Sequence, residues 1–262
     1  MNTSKALQEL LHSQLSQNTL HHIFSESPRT TPFLSRLCGD FPDRVRTLPC
    51  SNTSMLSLAM GAAISGAKVL LSLSTDSDID TLYALLSEET YGAEFPLSIT
   101  LLVPTFKPKS SPFPYVYCQK GAQLLGHIQR SLTSSSIQII GYSPEALLDT
   151  SEEADTRENI IHQNGSHISL LTCGHQLQQA LEFAQAYDDI ELIEIISLTP
   201  LHKSDLIKSI HKTGRVLLID PPDHLLPAVI DLAFWNLEAQ PVITRDSSST
   251  NLEQLRLQLL EP

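Results

Sequence analysis

Ten histidines, four cysteines and twenty-nine acidic residues in 262 give this chain material for acid–base, thiol or metal chemistry, so spacing has to decide which of these is used. His21-His22 beside Phe24 is the first candidate metal pair, but adjacent residues on a helix point in different directions and do not close on one ion. His162, His167 and His175 follow one another without carboxylates at ligand spacing, which reads as loop and surface residues. Cys38, Cys50, Cys118 and Cys173 share no paired spacing. Neither a zinc site nor a disulfide framework is expected from them, and reduced core thiols are. Thr213-Gly214-Arg215 offers one glycine where a phosphate cradle needs several, and is expected to be a turn into a strand. From residue type and spacing alone, no catalytic residue and no metal ligand is assigned.

The elements that would position any site are legible from periodicity. Ala6, Leu7, Leu10, Leu11 and Leu15 fall at helical spacing in an amphipathic segment over 4–23. A helix over Thr53 to Ser65 ends at Gly66 and leads into a buried strand over Ala67 to Ser74. Thr81 to Glu89 reads as helix, Leu97 to Pro104 as a buried strand, Lys107 to Pro114 as a Pro/Ser-rich loop and Ile137 to Ile140 as a strand. The character changes between Pro144 and Asn164, where Asp149-Thr-Ser-Glu-Glu-Ala-Asp-Thr-Arg-Glu158 suggests an acidic linker.

After it strands and helices alternate: strand Ile168 to Thr172, helix His175 to Tyr187, strand Leu192 to Ile196, helix Lys203 to His211, strand Val216 to Ile219, helix Leu225 to Leu237 and strand Pro241 to Thr244. Ser247 to Thr250 reads as a turn or flexible segment. The expectation is an α/β protein of two domains, 1–148 and 165–262 joined by a linker over 149–164, each a mostly parallel sheet with helices on both faces.

Composition narrows the partners. A formal charge of −12 repels nucleic-acid phosphates, and no apolar run approaches the roughly 18–20 residues of a membrane helix. The first residues show no basic region followed by an apolar stretch, so a cytoplasmic protein is expected.

Particular residues then carry a family resemblance. Gly165-Ser-His-Ile-Ser-Leu-Leu-Thr-Cys-Gly174, Ala180-Leu181, Ser197-Leu-Thr-Pro-Leu201 and Lys212-Thr-Gly-Arg-Val216 resemble the transketolase C-terminal domain. In the first half, Phe41-Pro-Asp-Arg-Val45 is similar to a "FGPDRV" segment, Leu48-Pro49 to a "TP" dipeptide, and Leu58-Ala-Met-Gly-Ala-Ala63 with Gly66 to an "AVGMALAG" helix. The chain therefore resembles the β subunit of thiamine-diphosphate-dependent 2-oxoacid dehydrogenases, of the pyruvate dehydrogenase type. That resemblance implies a transketolase-like pyrimidine-binding domain followed by a transketolase C-terminal domain.

The resemblance also implies where chemistry would lie. The family's glutamate, which exchanges a proton with the cofactor's aminopyrimidine ring, falls on Asn52, and an amide does not exchange a proton near neutral pH. Loss of a general acid/base costs roughly 10²- to 10⁴-fold. Thr75 and Asp78 stand where the family's aromatics line the pyrimidine pocket. No His-Ser-Gln occurs between Thr105 and Ile137, and His127, the one histidine there, reads as surface or core. Pro221-Pro-Asp-His-Leu-Leu-Pro227 replaces a "GGFG" motif, and the first domain is expected to lack a helix and a strand near Thr150. A diphosphate-and-magnesium motif is absent, as the resemblance implies for a chain whose α subunit supplies it.

The expected protein is thus a degenerate member, a pseudoenzyme of structural or regulatory role acting as a homodimer or paired with an α-type subunit. It would hold no cofactor by itself. An active β subunit, binding thiamine diphosphate and magnesium only together with an α subunit, is the alternative. A binding module for an unrelated metabolite is a third possibility with no positive sequence support.

Overall fold

The computed structural model describes residues 2–27, 31–76, 79–90, 96–105, 110–150 and 153–261. The described chain forms two compact units that divide between Thr156 and Arg157, with Ser110 grouped in the second.

In the first unit α1 (Thr3–Ser16), β1 (His22–Ser25), α2 (Leu37–Asp40), β2 (Val45–Thr47), α3 (Asn52–Ile64), β3 (Val69–Ser72), α4 (Ile79–Thr90), β4 (Ile99–Pro104), β5 (Tyr115–Cys118), α5 (Gly121–Thr133) and β6 (Gln138–Tyr142) follow in turn. These strands are ordered β5-β6-β4-β3-β1-β2, and every pairing among them is parallel. Leu7, Leu11 and Leu15 of α1 share a core with Leu124, Ile128 and Leu132 of α5 and with Leu70, Leu102 and Ile140 of the sheet. Helix α3 buries Met55, Leu56, Ala59, Met60 and Ala63, and it packs on β3 and α4. Alternate residues of a strand face opposite sides, so Val69 and Leu71 serve the α3 side while Leu70 serves the α1 side.

The second unit contains β7 (Asn159–Gln163), β8 (Ile168–Thr172), α6 (Leu177–Ala184), β9 (Ile190–Ile195), a short strand β10 (Ser197–Thr199), α7 (Lys203–Thr213), β11 (Val216–Ile219), α8 (Leu225–Ala233), β12 (Val242–Thr244) and α9 (Ser249–Leu260). Its sheet runs β12-β11-β8-β9-β7, parallel except for β7, which lies antiparallel on β9. Leu170, Leu192, Leu217 and Ile219 pack with Ala180 and Phe183 of α6 and Leu252 and Leu259 of α9. On the other face Ser169 lies within hydrogen-bond distance of Ser209 (2.6 Å) and Thr213 (2.7 Å) of α7, and α7 packs on α8. Two mostly parallel sheets clothed by helices are therefore the architecture.

Four features differ from the periodicity reading. The helix expected over 4–23 stops at Ser16, because Asn18 takes a positive φ of 56° and the Arg44 guanidinium donates to the carbonyls of Leu15, Leu20 and His21. That turn releases His22–Ser25 as a strand, with Ile23 wholly buried. Strand β5 arises in the segment that follows the Pro/Ser-rich loop, of which 107–109 lie outside the described residues. Strand β7 occupies part of the stretch read as linker, and Asp155 donates its N–H to Ala122 of α5 (2.9 Å). The segment read as a turn at 247–250 opens into α9, anchored by an Arg256–Asp189 ion pair at 2.7 Å.

Two buried tyrosines link this packing to pH. Burial pushes the hydroxyl of Tyr142, at the end of β6, up to about 12, and that of Tyr83 on α4 likewise to about 12. A group harder to ionise when folded stabilises the fold below its free value near 10 and loses that contribution as pH rises through 12. Stability is expected to fall by about 2–3 kcal/mol per tyrosine across this window. Tyrosinate absorbance followed against urea midpoints between pH 9 and 12 measures it, and ionisation of Tyr83 and Tyr142 near the free value of about 10 would contradict it.

Candidate functional site

In an open parallel sheet, ligands bind outside the carboxyl ends of the strands, where the strand order reverses. In the first unit β2 lies on one side of β1 and β3 on the other, so the reversal falls between the carboxyl ends of β1 and β3. The chain leaves β1 as Ser25-Glu26 and leaves β3 as Leu73-Ser74-Thr75-Asp76. The polar residues needed for a site are therefore at the place the topology favours.

Their partners are the chain's own. The Ser74 hydroxyl donates to the Glu26 carboxylate across the reversal point. The Thr105 hydroxyl, just beyond β4, donates to Asp76 at 2.6 Å, and the Tyr117 hydroxyl donates to the Thr105 carbonyl at 2.9 Å. Neighbouring strand ends are also joined through backbone, with Leu48 N–H on the Ser25 carbonyl (3.0 Å) and Thr105 N–H on that of Tyr142 (3.0 Å). A row of side-chain and main-chain hydrogen bonds thus runs along this end of the sheet.

Asn52 is the first residue of α3, half-buried and five positions past β2, with the Ser51 hydroxyl capping the helix through Ser54 N–H at 3.3 Å. A capped helix start presents backbone donors and a partial positive charge. Asn52 adds an amide there and no exchangeable proton. Thr75 is exposed beyond β3, and Asp78 lies outside the described residues. The sequence reading missed Glu26, Ser74, Asp76 and Thr105. Their signal is a polar residue directly after a short apolar run, and for Glu26 it was hidden by reading the helix through to residue 23.

The other candidates resolve into structural roles. His21 accepts the Lys68 N–H at 2.9 Å, and His22 stacks on Phe24 at 5.7 Å. Burial, followed by the charge of Arg44, lowers the pKa of His22. His127 is a buried residue of α5. His162 corrects the surface reading, because its Nε2 lies 2.8 Å from the buried Glu194 carboxylate. Gly214 caps α7 in the left-handed conformation at φ 68° and leads directly to β11. Cys118 and Cys173 are core thiols, whereas Cys50 is exposed and Cys38 half-buried. Among the described residues no group of three or more His, Cys, Asp or Glu is placed to hold a metal ion, and no helix is long and apolar enough to cross a membrane.

At the position that the sequence resemblance gives to a proton-exchanging carboxylate, Asn52 offers an amide. Glu26 and Asp76 accept hydroxyls of the same chain, and Thr75 offers no aromatic surface.

No protein-family model and no curated protein matches the chain. Among solved structures, one described as "Split gene transketolase, inactive beta4 tetramer" is similar with a TM-score of 0.69 at 16% identity, over 97% of this chain and 93% of that one. The fold is transketolase-like.

Proposed function

We propose that this chain is a degenerate β-type subunit of the transketolase-like class, closest in kind to the 2-oxoacid dehydrogenase β subunits, acting through association rather than thiamine-diphosphate chemistry. The observation that carries the reading is the Ser74–Glu26 hydrogen bond across the strand-order reversal, reinforced by Thr105–Asp76. Where an enzyme of this fold would hold polar groups ready for a ligand, these carboxylates are engaged by hydroxyls of the chain itself. Asn52 withholds the proton exchange that the implied chemistry requires. Self-association is supported by analogy with the β4 tetramer of the structural neighbour, and pairing with an α-type chain is the other form such a subunit takes.

Titration calorimetry of the full chain with thiamine diphosphate and magnesium, alone and then with a candidate α-type chain, tests the reading. No saturable heat is expected at ligand concentrations up to about 1 mM, which corresponds to binding weaker than about −4 kcal/mol. Micromolar binding, or decarboxylation of a 2-oxoacid by the co-expressed pair that is lost on changing Asn52, would overturn it.

A further inference from the structure

Helix α8 and the 3-10 turn that continues it read Leu225-Leu-Pro-Ala-Val-Ile-Asp-Leu-Ala-Phe-Trp-Asn-Leu237, with Asp231 the one charged residue in thirteen. Only the stripe Leu225, Val229 and Ala233 is buried. Leu226 and Ile230 are half-buried one position further round the helix, and at the same spacing Phe234 is 61% exposed, with Trp235 beside it at 92%. The two rings meet edge to face, 5.2 Å between centroids. This is an apolar helix with a covered face and an uncovered one.

A large aromatic pair left in water marks an interaction surface far more often than an accident of packing. We propose that the α8 face, centred on Phe234 and Trp235, is where a second copy of this chain docks, about a two-fold axis that sets α8 against its counterpart. The inference rests on the self-association proposed above and names the surface that performs it.

Charge and area argue for a second copy. Two chains of net charge −12 repel one another over most of their surfaces, and a nearly uncharged face removes that obstacle. A two-fold contact needs a patch complementary to itself, which an apolar stripe with stacking aromatics provides. The exposed parts of the two rings come to roughly 300 Å² per copy, taking about 200 Å² for a whole aromatic side chain. Pairing would remove about 600 Å² from water, around half of the ~1,200 Å² at which specific interfaces begin. Leu226, Ile230 and Leu237 extend the patch toward the remainder.

Trp235 is the single tryptophan of the chain and reports on its own docking. Sedimentation equilibrium of the full chain between about 0.5 and 100 µM is expected to show a two-copy or higher species. Over the same concentrations the tryptophan emission should move to shorter wavelength as the indole leaves water. Trp235→Glu and Phe234→Ser should each raise the dissociation constant at least about 100-fold with unchanged circular dichroism, since neither side chain is buried. Ile64→Glu, at another exposed apolar position, should leave the mass unaltered.

Self-association that survives both aromatic substitutions, or that leaves the Trp235 emission fixed, would overturn the α8 face while preserving the association reading. A wild-type monomer at every concentration would overturn both the α8 face as a self-docking surface and self-association itself. A monomer that instead docks a purified α-type chain through Trp235 would give the face to that partner and overturn the second copy.

Discussion

Replacing His162 by leucine is expected to destabilise the second unit by about 1–3 kcal/mol, the cost of taking a hydrogen-bond partner from a buried carboxylate. His162 belongs to the edge strand β7, and its Nε2 lies 2.8 Å from a Glu194 carboxylate that is 2% exposed on β9. Both residues face the side of the sheet that carries α6 and α9, where little water reaches. Removing the imidazole takes away the partner nearest the carboxylate and supplies none in exchange. The contact need not be a net stabiliser to show this effect, because the loss reflects desolvation of the polar group left behind rather than the net worth of the bond. Adding Glu194→Leu to the leucine variant is therefore expected to restore most of the loss. Urea unfolding of the wild type, the two single variants and the double variant measures the cycle. A single-variant loss below about 1 kcal/mol, the range of exposed pairs, would show that the contact is solvated.

Gly126→Ala is expected to lower stability by about 2–3 kcal/mol, although helix propensity alone predicts a gain. Gly126 lies within α5, and alanine in a helix interior is favoured over glycine by about 1 kcal/mol. A Cβ at this position would come within 2.6 Å of the Asp155 carbonyl carbon and 2.9 Å of the Asp155 nitrogen. These are backbone atoms of a segment already tied to α5 by Asp155 N–H on Ala122, so no side chain can swing aside. Overpacking of this kind typically costs 1–3 kcal/mol and occasionally more, and the fixed backbone puts it at or above the upper end. Thermal unfolding decides the sign: a higher midpoint in the alanine variant would mean that the 153–156 segment lifts off α5 freely.

How much of this was legible in the sequence depended on whether an element's signal was local. Strand β11 and the start of α7 were read to the residue, because a continuous apolar run beside a glycine turn at Gly214 has few alternatives. Strand β1 was not, since His22-Ile-Phe-Ser follows a strong helical pattern without proline or glycine, and the break depends on Arg44, more than twenty residues away, holding the carbonyls of Leu15, Leu20 and His21. Strand β7 was hidden by acidic neighbours. It is an edge strand whose Ile161 is 44% exposed, so it lacks the alternation of a half-buried strand. At the candidate site Asn52 and Thr75 could be singled out by family resemblance, but that Glu26 would meet Ser74 follows only from the parallel pairing of β1 with β3.

The first unit also brings residues 2–3 and 149–150 together, close to its two ends. Thr3 donates both its N–H (2.8 Å) and its hydroxyl (3.0 Å) to the Asp149 carbonyl, Asn2 bridges Thr150, and the Asp149 carboxylate accepts the Gly121 N–H at 2.8 Å. A body whose entry and exit lie side by side behaves topologically as a closed ring. Joining residue 150 to residue 2 through a few added residues costs little closure entropy, so the ring can be opened at another exposed loop with every strand pairing of the sheet retained.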